Sequence, residues 1–255
     1  MKNRPVFVLL LVVALLGLTA IAVAAGPTGS AAAQQATPRL VATVPPPTRV
    51  PTRTANDDLA RVKAAGKILV GTSLDNPPFS GYSDTFAPTG FDIALMEALA
   101  GQLDVKIEFN DFAFEGLLSA LKLGQVDAAI AAISLTPQRL AEVDFTNTYY
   151  VGRDGLLARP DAPFSIKDIN DLAQLKVGVQ VGSVYQTFLQ ETLVDTGLMP
   201  APNLMAYIRP EEMIWALEDE LLDVAMLDLE PARTFAARGN VRLVGEGLYP
   251  QVYAI

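Results

Sequence analysis

Leu117-Leu118-Ser119-Ala120-Leu121-Lys122-Leu123-Gly124-Gln125-Val126-Asp127-Ala128-Ala129-Ile130-Ala131-Ala132-Ile133 reads as a helix that ends at a glycine turn and feeds a buried strand. The spacing predicts a helix over 114–123 and a continuous apolar strand over 126–133. A strand that is apolar on both faces implies a parallel sheet covered by helices on each side. Working outward, residues 57–66 form a short helix closed by Gly66, and Ile68-Leu69-Val70-Gly71 is another buried strand. Gly90-Phe91-Asp92-Ile93 opens a helix running to about 103, and 105–109 is a further strand. Helices and apolar strands in alternation give an α/β fold. The opening stretch also has an echo 96 residues later: Leu118-Ser119-Ala120-Leu121 with Asp127-Ala128-Ala129-Ile130 recurs in step as Ile214-Trp215-Ala216-Leu217 with Asp223-Val224-Ala225-Met226. One architecture used twice suggests two lobes.

The N-terminal region has a different character. Met1-Lys2-Asn3-Arg4-Pro5 precedes an unbroken apolar run over 6–25, a basic start and a long hydrophobic segment that together mark an exported chain. Ala22-Val23-Ala24 and Ala31-Ala32-Ala33 both offer small residues for a signal peptidase, while twenty apolar residues also suffice for a membrane anchor, so both outcomes stay open. Residues 26–55 are rich in Ala, Thr, Pro and Gln and read as a linker. Lys2 and Arg4 lie in the export segment and no acid does, so its removal makes the remainder more acidic than the −9 of the whole chain. Such a surface repels phosphate backbones, which argues against nucleic acid as partner. The sequence has neither histidine nor cysteine. That removes Ser/His/Asp and Cys/His catalysis, disulfides, a thioether lipid anchor and the commonest metal ligands, so no metal and no cofactor are expected.

Polar residues suited to recognition gather where apolar strands stop, the place where open parallel sheets bind ligands. Ser73 and Asn76 follow the strand at 68–71, and Ser134-Leu135-Thr136-Pro137-Gln138-Arg139 follows that at 126–133. Gly182-Ser183-Val184 comes after Val177-Gly178-Val179, and Asp228 after Val224-Ala225-Met226-Leu227. Thr136 is a good N-cap and Pro137 a good first helical residue, which puts Arg139 in a helix's first turn. A cation there opposes the helix dipole, so either an anion sits between them or the side chain bends away into solvent. Ser183 and Asp228 could equally be simple helix caps, and Phe114 could be core.

Taken together, these residues resemble the family 3 periplasmic solute-binding proteins, the polar-amino-acid binders of ABC importers. The resemblance runs from about Asn56 to the end of the chain. It rests on Val70-Gly71-Thr72 with Pro77-Pro78-Phe79, on Gly90-Phe91-Asp92-Ile93, on residues 134–139 with Val143-Asp144-Phe145-Thr146 and Tyr149-Tyr150, and on Val177-Gly178-Val179-Gln180 with Gly182-Ser183. It implies a two-lobed clamp with the ligand cleft between the lobes. Residues 56–150 would be the first lobe and 151–245 the second, with hinge crossovers near 150 and 246 and a return strand starting in 246–255. The family's pattern gives Arg139, Ser134 and the Val184 backbone N–H to a ligand carboxylate, and Asp228 and the Ala132 carbonyl to its ammonium. Ser73, Asn76, Phe114, Ala131, Gln180 and Tyr185 would surround the ligand side chain.

The implied protein is extracytoplasmic, monomeric and not an enzyme; it hands a free amino acid to a membrane-bound ABC permease. Family members usually carry threonine where this chain has Val184, which loses a hydroxyl contact and keeps the backbone donor. Many binders of basic amino acids have an acid at the position of Ser73 and an aromatic at that of Asn76, so the resemblance leans toward an uncharged or polar ligand. The family's pattern also continues past the return strand, so the chain is expected to be a fragment. Two rival readings are a ligand-sensing receptor domain and a cyclohexadienyl-dehydratase-like enzyme, whose acid or base Glu115 or Glu97 would have to supply.

Overall fold

The computed structural model describes residues 55–255, so the expected export segment and nearly all of the linker lie outside the described residues. Among the described residues no helix is long and apolar enough to cross a membrane. The first lobe comprises helix α1 (Ala55–Ala65), strand β1 (Lys67–Thr72), a small hairpin of β2 (Gly81–Tyr82) and β3 (Pro88–Thr89), helix α2 (Phe91–Leu103), strand β4 (Lys106–Asp111), helix α3 (Leu117–Lys122), strand β5 (Ala128–Ala129) and the one-turn helix α4 (Pro137–Leu140). Then follow β6 (Tyr150–Gly152), β7 (Asp154–Ala158), β8 (Val177–Gln180), α5 (Val184–Leu189), β9 (Leu204–Tyr207), α6 (Pro210–Glu218), β10 (Val224–Asp228), α7 (Leu229–Ala236), β11 (Arg242–Glu246) and β12 (Gln251–Tyr253).

Two sheets result. The first has the order β4-β1-β5 and is parallel throughout. The second has the order β11-β7-β10-β8-β9, with β10, β8 and β9 parallel and β7 antiparallel to both its neighbours. Between them β6 and β12 pair as a two-stranded antiparallel ribbon, so the chain passes from one lobe to the other and back along adjacent strands.

Each sheet is covered on both faces because alternate residues of its strands point opposite ways. In the second lobe Leu156 and Met226 belong to a core cluster with Val177, Leu189 and Leu193, while their neighbours Leu157 and Leu227 join Met213, Leu217 and Phe235 on the other face. In the first lobe Val70, Met96 and Ile130 pack on one side and Leu117, Ala129 and Ile133 on the other.

The sequence echo has a structural counterpart. Asp127 accepts the Leu69 N–H through Oδ2 at 2.9 Å and donates its own N–H to the Leu69 carbonyl at 2.7 Å. Asp223 does the same to Lys176, at 2.8 Å and 2.9 Å. In both lobes the aspartate after the helix pins the entry of one parallel strand to that of its neighbour. Arg61 of α1 additionally pairs with Asp127.

Two predicted elements differ. The helix expected over 114–123 is a 3-10 turn at Phe114–Gly116 followed by α3. The strand expected over 126–133 shrinks to Ala128–Ala129. From Ile130 the chain leaves the sheet: Ala132 takes a left-handed φ of 48° and gives its N–H to the Asp92 carboxylate at 2.9 Å. Residues 129–133 are nonetheless all buried. Small apolar side chains are equally at home in a strand and in a buried irregular segment, so composition alone does not separate the two.

Gly90 is required where it stands. Its φ is 127°, and a Cβ there would lie 2.3 Å from the Phe79 carbonyl oxygen. That close approach lets the first two N–H groups of α2 bond to the Pro78 and Phe79 carbonyls, at 3.0 and 2.9 Å, which docks the turn after β1 against the helix carrying Asp92.

Candidate functional site

The C-terminal ends of the parallel strands of both lobes converge on one cleft. Ser73 and Asn76 come from beyond β1, Ala131, Ala132 and Ser134 from beyond β5, Gln180, Ser183 and Val184 from the end of β8, and Asp228 from the end of β10. Phe114 and Tyr185 complete the walls, with Gln251 from β12. The geometry thus brings together every residue singled out for binding except Arg139.

Arg139 stands beside this space. It lines the two adjoining cavities, one of which shares Ser183 and Val184 with the inner cleft. Thr136 caps α4, accepting the Arg139 N–H at 3.2 Å, and Pro137 is the first helical residue, as the spacing predicts. The dipole argument is weaker than expected, because α4 is only four residues long. Backbone carbonyls hold the guanidinium: Nη1 donates to Ser134 O at 2.7 Å and Nη2 to Gly182 O at 3.0 Å, the latter from across the lobes. Its Cζ lies 5.5 Å over the Phe114 ring, so that phenyl group is a platform for the cation as well as a cleft wall. Burial lowers the Arg139 pKa, and the field of Asp228 opposes that shift.

Asp228 occupies the N-cap position of α7, yet its side chain makes no capping bond. It accepts the Tyr185 hydroxyl at 2.7 Å, and Tyr253 and Asn76 also stabilise its charge. Burial nevertheless pushes its pKa up, because desolvation outweighs those donors. Tyr185, expected to face a ligand side chain, is therefore committed to this carboxylate, and Asn76 lies close enough to favour its charge. Ser183 does cap α5, accepting the Gln186 N–H at 3.3 Å, which leaves the Val184 N–H among the uncommitted donors of the first turn. Gln180 donates to the Ile208 carbonyl at 3.1 Å and reaches Asp75 Oδ2 at 3.4 Å. Together with Arg209–Asp111 at 3.8 Å and Arg139–Gly182, this contact ties lobe to lobe around the cleft.

Behind the cleft lies a second carboxylate that the sequence argument did not single out. Asp92, wholly buried, accepts the Ala132 N–H and, at 2.9 Å, the Tyr149 hydroxyl. It thereby holds the left-handed Ala132 that walls the site. Burial raises its pKa to about 6 against the pull of those two bonds. Asp75 is raised to about 6 by the same cause, against the pull of the Arg209 charge. Gln251 and Tyr253 were also missed. On β12 they point inward while Val252 between them is exposed. A buried polar residue flanking an exposed apolar one inverts the usual alternation, so periodicity offered no signal. Glu97 is exposed on α2, and Glu115 stands beside Gly182 on the cavity that Arg139 borders.

Residues 68–235 match the family model of the bacterial extracellular solute-binding proteins, family 3. The chain is 30% identical over 162 residues to the arginine-binding extracellular protein ArtP of Bacillus subtilis, covering 64% of this chain and 61% of that protein. It is 34% identical over 128 residues to the ABC transporter arginine-binding protein 1 of Escherichia coli, covering 50% and 51% respectively. The match thus spans about half to three fifths of the length of these curated relatives. Among solved structures, an ancestral arginine-binding protein bound to arginine superposes with a TM-score of 0.68 at 30% identity, covering 74% of this chain and 83% of that one.

Proposed function

We propose, from the premise that this chain belongs to the bacterial extracellular solute-binding proteins of family 3, that it captures a free α-amino acid between its lobes and hands it to an ABC permease. The observation that carries this reading is that Asp228 from one lobe lines the inner cleft while Arg139 from the other borders the adjoining cavities, which share Phe114, Ser183 and Val184 with it. A zwitterion has one anionic and one cationic pole, and this arrangement meets both. The ligand carboxylate would take the remaining guanidinium N–H groups of Arg139 and the Val184 N–H, beside Ser134, whose hydroxyl donates to Gln251. Its ammonium would face Asp228 and the Ala132 carbonyl. Residues 56–150 and 151–245 would close as rigid lobes about the β6–β12 ribbon, with crossovers near 150 and 246.

The protein acts as a monomeric binder and catalyses nothing. Asp228, the one carboxylate lining the inner cleft, is engaged by the Tyr185 hydroxyl at 2.7 Å, whereas a general acid or base must be free to exchange a proton with a reacting group. Residues 1–25 would export the chain, and 26–55 would separate the lobes from the membrane or a cleavage site. Relatives named for arginine, histidine and cystine binding put those ligands first in any screen. Thermal denaturation with each of the twenty amino acids and cystine tests the reading, because a ligand bound only by the folded state raises the midpoint. At least one is expected to do so. No shift with any of them would overturn it.

A further inference from the structure

Gln251 stands apart from the other residues of the cleft because the return strand supplies it. It is 7% exposed, and the Ser134 hydroxyl donates to its Oε1. Its Nε2 is buried and has no hydrogen-bond partner. Among the described residues only one other buried, unpartnered side-chain atom belongs to a residue lining the inner cleft, the Ser73 hydroxyl oxygen. An amide N–H left without an acceptor away from water costs roughly 1–3 kcal/mol, so a glutamine in this place needs a reason that packing does not provide.

The surroundings indicate the reason. Ser134 holds Gln251 through its hydroxyl and Arg139 through its carbonyl, at 2.7 Å to Nη1, so the amide and the guanidinium are held by the same residue. Asp228, the nearest full negative charge on the cleft wall, already draws on Tyr185, Tyr253 and Asn76. What this end of the cleft offers is a cluster of donors, and a carboxylate can accept about four hydrogen bonds. We infer that Gln251 donates from Nε2 to the ligand carboxylate, making the return strand part of the anion-binding pole together with Arg139 and the Val184 N–H, with the Ser134 hydroxyl holding the amide in place.

The backbone supports such a role. β12 is fixed against this loop by a bridge between Ser134 and Tyr253, by the Leu135 N–H to Val252 O at 3.0 Å, and by the Ala254 N–H to Ile133 O at 3.1 Å. Because β12 also pairs with β6, a ligand bonded to Gln251 would be joined directly to the ribbon that links the lobes.

The inference rests on the amino-acid reading proposed above, and the test separates the two. Calorimetric titration compares wild type, Gln251→Leu and Gln251→Glu, each with the amino acid that gives the largest thermal shift and with its carboxamide. If the wild type binds no amino acid, the general reading fails. If it binds, Gln251→Leu is expected to weaken the acid by roughly 5- to 30-fold, the size of one hydrogen bond to a charged group. The carboxamide should weaken much less, so preference for the acid shrinks. Gln251→Glu, similar in shape, should weaken the acid by more than about 100-fold at neutral pH, because it sets carboxylate against carboxylate. Equal losses for acid and carboxamide, or no loss for the acid in either variant, would overturn the assignment. Melting of the ligand-free variants checks that each is folded.

Discussion

Replacing Arg139 by alanine removes the one cation at the proposed carboxylate pole. A guanidinium has five N–H donors. Two of them are spent on the Ser134 and Gly182 carbonyls, at 2.7 and 3.0 Å, leaving three, enough for the two-pronged grip that a carboxylate accepts. Each charge-assisted bond contributes about 1.5–3 kcal/mol, and truncating one partner of a desolvated pair costs about 2–5 kcal/mol. The dissociation constant should therefore rise between about 30-fold and several thousand-fold. Arg139→Lys keeps the charge without the fork and should fall between the alanine variant and wild type. The assay is calorimetric titration with the amino acid that stabilises the wild type most, backed by denaturation of the ligand-free variant, since loss of the Gly182 contact also loosens the join between lobes. An affinity for Arg139→Ala within about threefold of wild type would refute the argument, whatever the relatives bind.

Other expectations follow from the same geometry. Asp92 has a folded pKa of about 6 against an ordinary 3.8, so the folded state binds its proton more tightly than the unfolded chain does. Its charge therefore weakens the fold above pH 6, and that penalty fades as pH falls toward 4. Asp92→Asn removes the penalty; urea unfolding should show variant minus wild-type stability rising by on the order of 2–3 kcal/mol from pH 4 to pH 7.5, whereas a constant offset would contradict the assignment. Leu217→Ala empties a wholly buried site between α6 and the second sheet and should cost about 2–5 kcal/mol in the same assay; a loss below about 1 kcal/mol would mean that the cluster is not packed as described. Arg209→Ala breaks a half-exposed contact to Asp111 and removes a charge that favours ionised Asp75, both at the cleft rim, so affinity should change by less than about fivefold and the change should shrink in high salt. A larger, salt-insensitive loss would place Arg209 in the binding site itself.

Much of the fold was legible because strands and helices alternate and the strands are apolar. The echo between Asp127 and Asp223 went further than its length promised, since both aspartates perform the same strand-pinning task. The stretch over 130–133 was misjudged because burial was evident but conformation was not. Nothing in Ile130-Ala131-Ala132-Ile133 announces that Ala132 will turn left-handed, as the cause lies forty residues earlier in Asp92. Site residues just past strand ends were accessible by the strand-end rule. Gln251, Tyr253 and Asp92 were not, because their roles depend on a strand returning from the other lobe and on a carboxylate bonding a distant backbone N–H. The lean toward an uncharged ligand rested on Ser73 and Asn76, whereas folding brings the Asp75 carboxylate against Gln180, a residue of the cleft wall.

The central claim, that the two poles of a free amino acid are held by opposite charges from opposite lobes, can be tested with three ligands. Titrating the wild-type protein with its preferred amino acid, the N-acetyl derivative and the carboxamide should give strong binding only for the first, each block costing at least about a hundredfold. Comparable affinity for either blocked form would show that Arg139 and Asp228 do not grip a zwitterion.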